Sequence, residues 1–124
     1  MLEAAFKGDE GVIHRLIKDQ ANASLIRNTD GRTLLHRAAY WGHTTLVYKL
    51  VNEYNLAVDE KTTANETPLM DAVFKGNYDI VQFLLSSGAS VHHRNNYNET
   101  PLEMANKFQK PEIAELLKQH GAQE

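Results

Sequence analysis

Six histidines and a pair of adjacent serines are the residues of this 124-residue chain whose types could carry chemistry. Imidazoles bind zinc or move protons, and a serine hydroxyl attacks a substrate when a base and an orienting acid lie beside it. The spacing supports neither activity. His92 and His93 are neighbours in an extended segment, so their side chains point to opposite faces, and Ser86 and Ser87 have no base or acid in register. The chain contains no zinc-protease helix motif, no EF-hand loop and no glycine-rich phosphate loop. We therefore expect no catalytic residues, no metal and no cofactor, and we expect that the chain is not an enzyme.

The composition narrows the classes of partner. The formal net charge is −3, and there are no cysteines. An acidic balance argues against nucleic acid, because phosphate binding needs a basic stripe. No apolar run reaches the roughly 20 residues that span a bilayer, and the segment that follows Met1 has an acid where a signal peptide has bases. We expect an intracellular, cytoplasmic monomer, with the nucleus as an alternative location, that binds neither nucleic acid nor membrane.

The elements that position these residues repeat along the chain. The segment around Thr33 returns around Thr67 and again around Thr100, at intervals of 34 and 33 residues. Three glycines keep the same step: Gly8, Gly42 and Gly76. A fixed period of this length indicates stacked supersecondary units, which present a surface to a partner and do not enclose a reaction.

Residues 62–94 serve as the reference unit for a physical interpretation. Asn65 occupies the place of Gly31 and Asn98 in the neighbouring units, and Gly and Asn best tolerate a positive φ, which predicts a left-handed turn at a hairpin tip. Thr67 is a good N-cap, and the proline after it suits the first helical position. This first helix should stop at a C-terminal glycine, Gly76.

A second helix follows in each unit. Its apolar face in the reference unit is formed by Ile80, Val81, Leu84 and Leu85, and Gly88 is expected to end it. The last unit repeats the pattern with Ile113, Ala114, Leu116 and Leu117. We divide the single domain 1–124 into an N-terminal capping unit 1–27, repeats 28–61 and 62–94, and a C-terminal capping repeat 95–124.

Residues 31–43, together with Thr67-Pro68-Leu69 and Ser87-Gly88-Ala89-Ser90-Val91, strongly resemble the ankyrin repeat. The resemblance implies an all-α ankyrin-repeat solenoid of stacked helix-turn-helix units joined by β-hairpin-like loops. It also implies protein–protein recognition on a concave face made by hairpin tips and first helices.

The chain departs from the family pattern at several positions. Met70 and Glu103 stand where His36 stands, so the histidine-centred hydrogen bonds of the family are expected in one repeat only. Gln109 replaces the glycine that ends the first helix of the last unit. The chain begins inside what should be the first helix, so it is either a protein with a minimal cap or a piece of a longer one.

The resemblance also implies which residues contact a partner: the hairpin tips and the two residues before each helix-ending glycine. By register the helix positions are Phe6, Lys7, Tyr40, Trp41, Phe74, Lys75, Lys107 and Phe108. The tip positions that we select are Asp30, Arg32, Glu66, Tyr97 and Glu99. Equivalent positions line up in a stack, so we expect an aromatic stripe bordered by lysines. Two interpretations of these rings stay open, namely binding of a partner and packing against the next repeat.

We therefore predict a protein-interaction module, an adaptor, that binds a partner protein or peptide through its concave face. The expected partner segment carries bulky apolar anchors and some acidic residues. Two alternatives remain: a targeting or regulatory domain of a larger enzyme, and a stoichiometric protein inhibitor.

Overall fold

The computed structural model describes residues 31–53 and 56–122, which form three helix pairs. The helices are α1 (Leu34–Trp41), α2 (Thr44–Asn52), α3 (Pro68–Lys75), α4 (Tyr78–Ser86), α5 (Pro101–Lys107) and α6 (Pro111–Gln119). The predicted all-α fold is confirmed for this part of the chain. The capping unit expected at residues 1–27 lies outside it, and the unit boundaries within the domain remain predictions.

The first helix of each pair begins at the predicted threonine. The hydroxyl of Thr33, Thr67 or Thr100 accepts a hydrogen bond from a backbone N–H in the first turn. Proline occupies the start of α3 and α5 as expected, where a missing N–H removes no intrahelical bond. These local preferences explain why the first helices of the three pairs, α1, α3 and α5, start at equivalent residues.

The hairpin tips adopt the predicted left-handed turn. Gly31 has φ 82°, Asn65 has φ 60° and Asn98 has φ 63°. Each of the last two tips is closed by a polar side chain at its base. The hydroxyl of Thr62 accepts from two tip N–H groups, and the Asn95 side-chain oxygen does the same one unit later.

The C-terminal ends of these first helices differ between units. Gly42 and Gly76 close α1 and α3 in the left-handed conformation, as predicted. Gln109 takes the same conformation with φ 59° although it has a Cβ atom, and α5 has only 7 residues. Phe108 therefore lies just beyond α5 instead of inside it.

The core lies between an inner layer of α1, α3 and α5 and an outer layer of α2, α4 and α6. In the inner layer α1 packs against α3 and α3 against α5. The apolar faces predicted for the second helices of the last two units are buried, and they include Leu84 and Leu117 with no exposed surface. Because each pair covers the face of its neighbour, the core is continuous along the stack.

Polar contacts also join the first and second described units. The Asn77 side-chain amide donates to the Ala39 carbonyl at 2.8 Å, near the C-terminal end of α1. Buried His36 accepts the Thr33 N–H at Nδ1 (3.1 Å), so its Nε2–H donates to the Glu66 carbonyl at 2.8 Å. These two bonds of His36 are histidine-centred hydrogen bonds of the kind that the sequence predicts for this repeat.

Candidate interaction surface

Three rings from successive units meet along the inner helices, and we call Tyr40, Phe74 and Phe108 the aromatic row. The rings of Tyr40 and Phe74 stack with centroids 6.3 Å apart, and Phe108 meets Phe74 edge-on at 4.9 Å. Trp41 extends this group, with its ring 5.3 Å from that of Tyr40. The row is continuous because Phe108, beyond the end of α5, takes the place next to Phe74.

The rings differ in how much of their surface packs against the protein. Phe74 is 42% exposed and Trp41 is 40% exposed. Tyr40 is half-buried, and Phe108 is half-buried and packs on the core. Of the two interpretations left open by the sequence, packing accounts for much of Phe108, whereas Phe74 and Trp41 offer free aromatic surface.

Two lysines flank the row in different electrostatic settings. The Lys75 ammonium lies 4.9 Å from the centre of the Tyr40 ring, a cation–π contact. The Lys107 ammonium lies 5.4 Å from the centre of the Phe108 ring, and it also contacts the Glu99 carboxylate at 2.9 Å. Lys107 therefore already has an acidic partner within the protein.

A groove of about 470 Å³ runs between the aromatic row and the hairpin tips, and we call it the tip–helix groove. The inner helices contribute Tyr40, Asp71, Phe74, Met104 and Lys107, with Phe108 just beyond them; the tips contribute Arg32, Glu66, Asn95, Tyr97 and Glu99. Tyr97 is 77% exposed. The groove is thus aromatic along one side and bears charged groups along the other.

An ion-pair cluster occupies the end of the groove between the first and second described units. Arg32 contacts the Asp71 carboxylate at 2.5 Å and the Glu66 carboxylate at 3.5 Å. Burial raises the pKa of Asp71 to about 7, although the charge and hydrogen bond of Arg32 act in the opposite direction. Burial also lowers the pKa of Arg37, and the negative charge of Asp71 opposes that shift.

The carboxylates of the last unit behave differently because they are solvated and hydrogen-bonded. Hydrogen bonds from Lys107 and Asn95 lower the pKa of Glu99 below its usual value. The backbone N–H of Thr100 lowers the pKa of Glu103, which completes a capping box at the start of α5. Both groups are ionised at neutral pH.

The structure places most of the predicted contact residues around one surface, although their role in binding remains a prediction. Tyr40, Trp41, Phe74, Lys75, Lys107 and Phe108 lie together on the helix side, and Arg32, Glu66, Tyr97 and Glu99 lie on the tips. Arg32 is already engaged in ion pairs within the protein. Phe6, Lys7 and Asp30 lie outside the described residues.

Three groove residues, Asp71, Asn95 and Met104, did not figure in the sequence prediction. Asp71 and Met104 occupy the register position of Arg37 in their own units, one turn into the inner helix. An acid at this position, one unit after an arginine on a hairpin tip, is a signal that could have indicated the Arg32–Asp71 pair.

Within residues 31–53 and 56–122, no cluster of three or more His, Asp or Glu side chains could hold a metal ion. The ring of His93 contacts the Asn65 carbonyl at 2.8 Å, an internal bond between hairpin tips. No helix in this part of the chain combines the length and apolar character that crossing a membrane requires.

Comparison with known proteins agrees with this architecture. A family model described as ankyrin repeats in three copies matches residues 1–95. The chain belongs to the ankyrin repeat family. Its fold is therefore that of an ankyrin-repeat solenoid, and ankyrin repeats in general are non-catalytic modules of protein–protein interaction.

Three relatives show the range of proteins that this ankyrin domain resembles. It is 36% identical over 89 residues to ankyrin repeat and SOCS box protein 2 of Bos taurus, a match covering 72% of the chain and 14% of that protein. It is 35% identical over 106 residues to dauer abnormal formation protein 25 of Caenorhabditis elegans, a match covering 85% of the chain and 27% of that protein. It is 26% identical over 110 residues to tyrosine-protein kinase HTK16 of Hydra vulgaris, a match covering 88% of the chain and 14% of that kinase. The chain thus spans less than a third of each.

Proposed function

We propose that this ankyrin-repeat chain is an adaptor that binds a partner protein through the tip–helix groove. The observation that carries the proposal is the aromatic row with exposed Trp41 and Phe74 beside a groove of about 470 Å³. Aromatic rings on a rigid helical face lose little conformational entropy on binding, and they dominate the energetics of many protein interfaces.

The chemistry of the row indicates which side chains the partner should carry. Exposed rings favour bulky apolar anchors, and the ammonium of Lys75 beside them favours an acidic group. We propose a partner protein or peptide segment that carries both features. The chain itself would perform no catalysis and would act as an intracellular monomer.

A second candidate function is that of a regulatory or targeting domain of a larger enzyme. The similarity to a tyrosine-protein kinase, of which the matched part is 14%, favours this candidate. In such a protein the same groove would recruit or restrain a partner of the enzyme, and the catalytic residues would lie elsewhere.

Affinity capture from a native lysate tests whether the groove binds a partner. The bait is the wild-type chain, compared with a Trp41→Ala/Phe74→Ala variant. Tyr48→Ala is the matched control, because Tyr48 is 39% exposed but lies on the outer helix α2. Circular dichroism verifies that all three proteins are folded.

We expect partners to be recovered with the wild type and with Tyr48→Ala. A hot-spot ring contributes about 2 kcal/mol, so loss of one ring should weaken binding by roughly 30-fold and loss of both rings by up to roughly 700-fold. Equal recovery with the groove variant would exclude the tip–helix groove as the binding surface.

A further inference from the structure

We infer that the ion-pair cluster holds a proton, which the Asp71 carboxyl carries and donates to the Glu66 carboxylate. Arg32 balances the single negative charge that remains. Loss of this proton as the pH rises would leave two carboxylates around one guanidinium, so the cluster is a pH-sensitive contact between the first and second described units.

One guanidinium serves both carboxyl groups of the cluster. Arg32 Nη1 contacts Asp71 Oδ2 at 2.5 Å, and Arg32 Nη2 lies 3.5 Å from Glu66 Oε1. A guanidinium carries one positive charge, so it cannot neutralise two carboxylates. A bound proton removes the negative charge that would otherwise be left over.

The two acids also contact each other. The side chains of Glu66 and Asp71 are joined by a hydrogen bond. An ionised carboxylate only accepts hydrogen bonds, so this bond requires a proton on one of the two groups. The guanidinium of Arg32 occupies Oδ2 of Asp71, which leaves Oδ1 to carry that proton.

Burial decides which acid carries the proton. The side chain of Asp71 is 3% exposed, whereas that of Glu66 is 22% exposed. A charge loses more hydration at the more buried position, so the proton belongs to Asp71 and the charge to Glu66. The pKa of Asp71 agrees with this assignment: burial raises it to about 7, and the charge and hydrogen bond of Glu66 act in the same direction.

The other titratable groups that face the cluster come from α1 and from the last unit: His36, Arg37, Tyr40, Tyr97, Glu99 and Lys107. Lys107 is already paired with Glu99 at 2.9 Å. The ring of His36 bonds to the backbone carbonyl of Glu66 at 2.8 Å, an atom that a side-chain substitution keeps. A change at the Glu66 side chain therefore tests the shared proton while these groups stay in place.

The cluster lines the tip–helix groove, so its proton sets the charge of that surface. With the proton bound, the cations Arg32 and Lys107 match the anions Glu66 and Glu99; without it, Asp71 adds one negative charge. An acidic partner would then bind more weakly at pH 8 than at pH 6. This consequence rests on the proposed function, whereas the shared proton does not, and the experiments below need no partner.

Carbon-13 NMR of the side-chain carboxyl groups, recorded on the full chain from pH 3 to pH 9, tests the shared proton. We expect Asp71 Cγ to titrate with a midpoint at about pH 7. Glu66→Gln should lower that midpoint by about one pH unit or more, because it removes a negative charge and its amide donates to the Asp71 carboxylate. Glu103→Gln is the matched control, an exposed acid of the last unit, and should leave the midpoint unchanged.

Two results of the titration would overturn the inference. A midpoint close to the usual value of 3.8 in the wild type would show that Asp71 is ionised at neutral pH. A midpoint that stays at about 7 in Glu66→Gln would show that burial alone holds the proton and that Glu66 does not share it. The dispersion of the amide spectrum verifies that both variants are folded.

Amide hydrogen exchange then tests whether the proton affects the hairpin tip. The Glu66 N–H donates to the Thr62 hydroxyl at 3.2 Å. After correction for the intrinsic exchange rate, its protection in the wild type should fall roughly 2–5-fold between pH 6 and pH 8, because two carboxylates then repel each other, and it should not fall in Glu66→Gln. Constant protection in the wild type, or an equal fall in the variant, would overturn the cluster as a pH-sensitive contact.

Discussion

At the residue scale, Asp71 is the least expected group of the groove. It is almost fully buried, and its pKa of about 7 lies well above the usual value of 3.8. A carboxyl whose pKa is raised on folding binds its proton more tightly in the native state than in the unfolded chain. The free energy of unfolding therefore has its full Asp71 contribution below pH 3.8 and loses it progressively as the pH rises from there through about 7.

Asp71→Asn should remove this dependence, because the amide is neutral at every pH and resembles the protonated acid. A shift of about three pKa units corresponds to at most about 4 kcal/mol. We expect the wild type to lose stability relative to Asp71→Asn between pH 4 and 8, so that the variant is the more stable protein at pH 8. Urea unfolding at several pH values measures the difference.

Glu115→Gln is the control for this experiment, since it removes one negative charge from an exposed position on α6. Its difference from the wild type should change little between pH 4 and 8. If Asp71→Asn behaves in the same way, the Arg32 pair holds Asp71 ionised throughout and the raised pKa is wrong.

At the element scale, the inner helices show how a single residue sets a helix end. Gly76 and Gln109 occupy equivalent positions and both have a positive φ. The left-handed conformation costs a residue with a Cβ atom about 1–2 kcal/mol, whereas glycine adopts it freely. The backbone at Gln109 is therefore strained, whereas the backbone at the equivalent Gly76 is not.

Gln109→Gly should stabilise the protein by roughly 0.5–1 kcal/mol, because relief of the strain exceeds the entropy that glycine adds to the unfolded chain. Gly76→Ala is the reciprocal change. It should destabilise by about 1–2 kcal/mol, because alanine must adopt a positive φ and its Cβ would lie 3.2 Å from the Lys110 ammonium. Thermal unfolding compares both variants with the wild type, and destabilisation by Gln109→Gly would contradict the argument.

Local signals in the sequence were sufficient to predict the elements. Thr67 and Pro68 indicate a helix start, and Asn65 indicates a left-handed tip, because each preference depends on the backbone of its own neighbourhood. The aromatic row was only partly predictable. By register Lys107 is equivalent to Phe74, so a lysine is expected next to Phe74 in the row. Phe108 takes that position instead, and this depends on where α5 ends in three dimensions. The Arg32–Asp71 pair was missed for the same reason, since it joins two units.

At the scale of the whole molecule, the stack depends on contacts between neighbouring units. The Ala39 carbonyl is one of the groups near a helix end that lack an intrahelical donor, and the Asn77 amide of the next unit satisfies it. Stability in such an array is close to a sum of unit and interface terms. Loss of one hydrogen bond between units should therefore destabilise most strongly the two units that it joins.

Asn77→Ala should cost about 1–2 kcal/mol by leaving that carbonyl without its donor. Hydrogen exchange should then accelerate in α1 and α2 by roughly 5–30-fold and change much less in α5 and α6. The control is Asn106→Ala, an exposed position on α5. Equal acceleration in all six helices would show that the array unfolds as one cooperative body.

The Arg32–Asp71 pair also bears on how such a protein could grow by gene duplication. A second copy of residues 62–94 inserted after the first would find Glu66, in place of Arg32, on the tip before its own Asp71. Two acids would then face each other without the guanidinium that now joins them. Tandem copying of this unit would thus require a compensating mutation. The order of the units is constrained by the side chain on each hairpin tip, which must suit the residue that it contacts in the following unit.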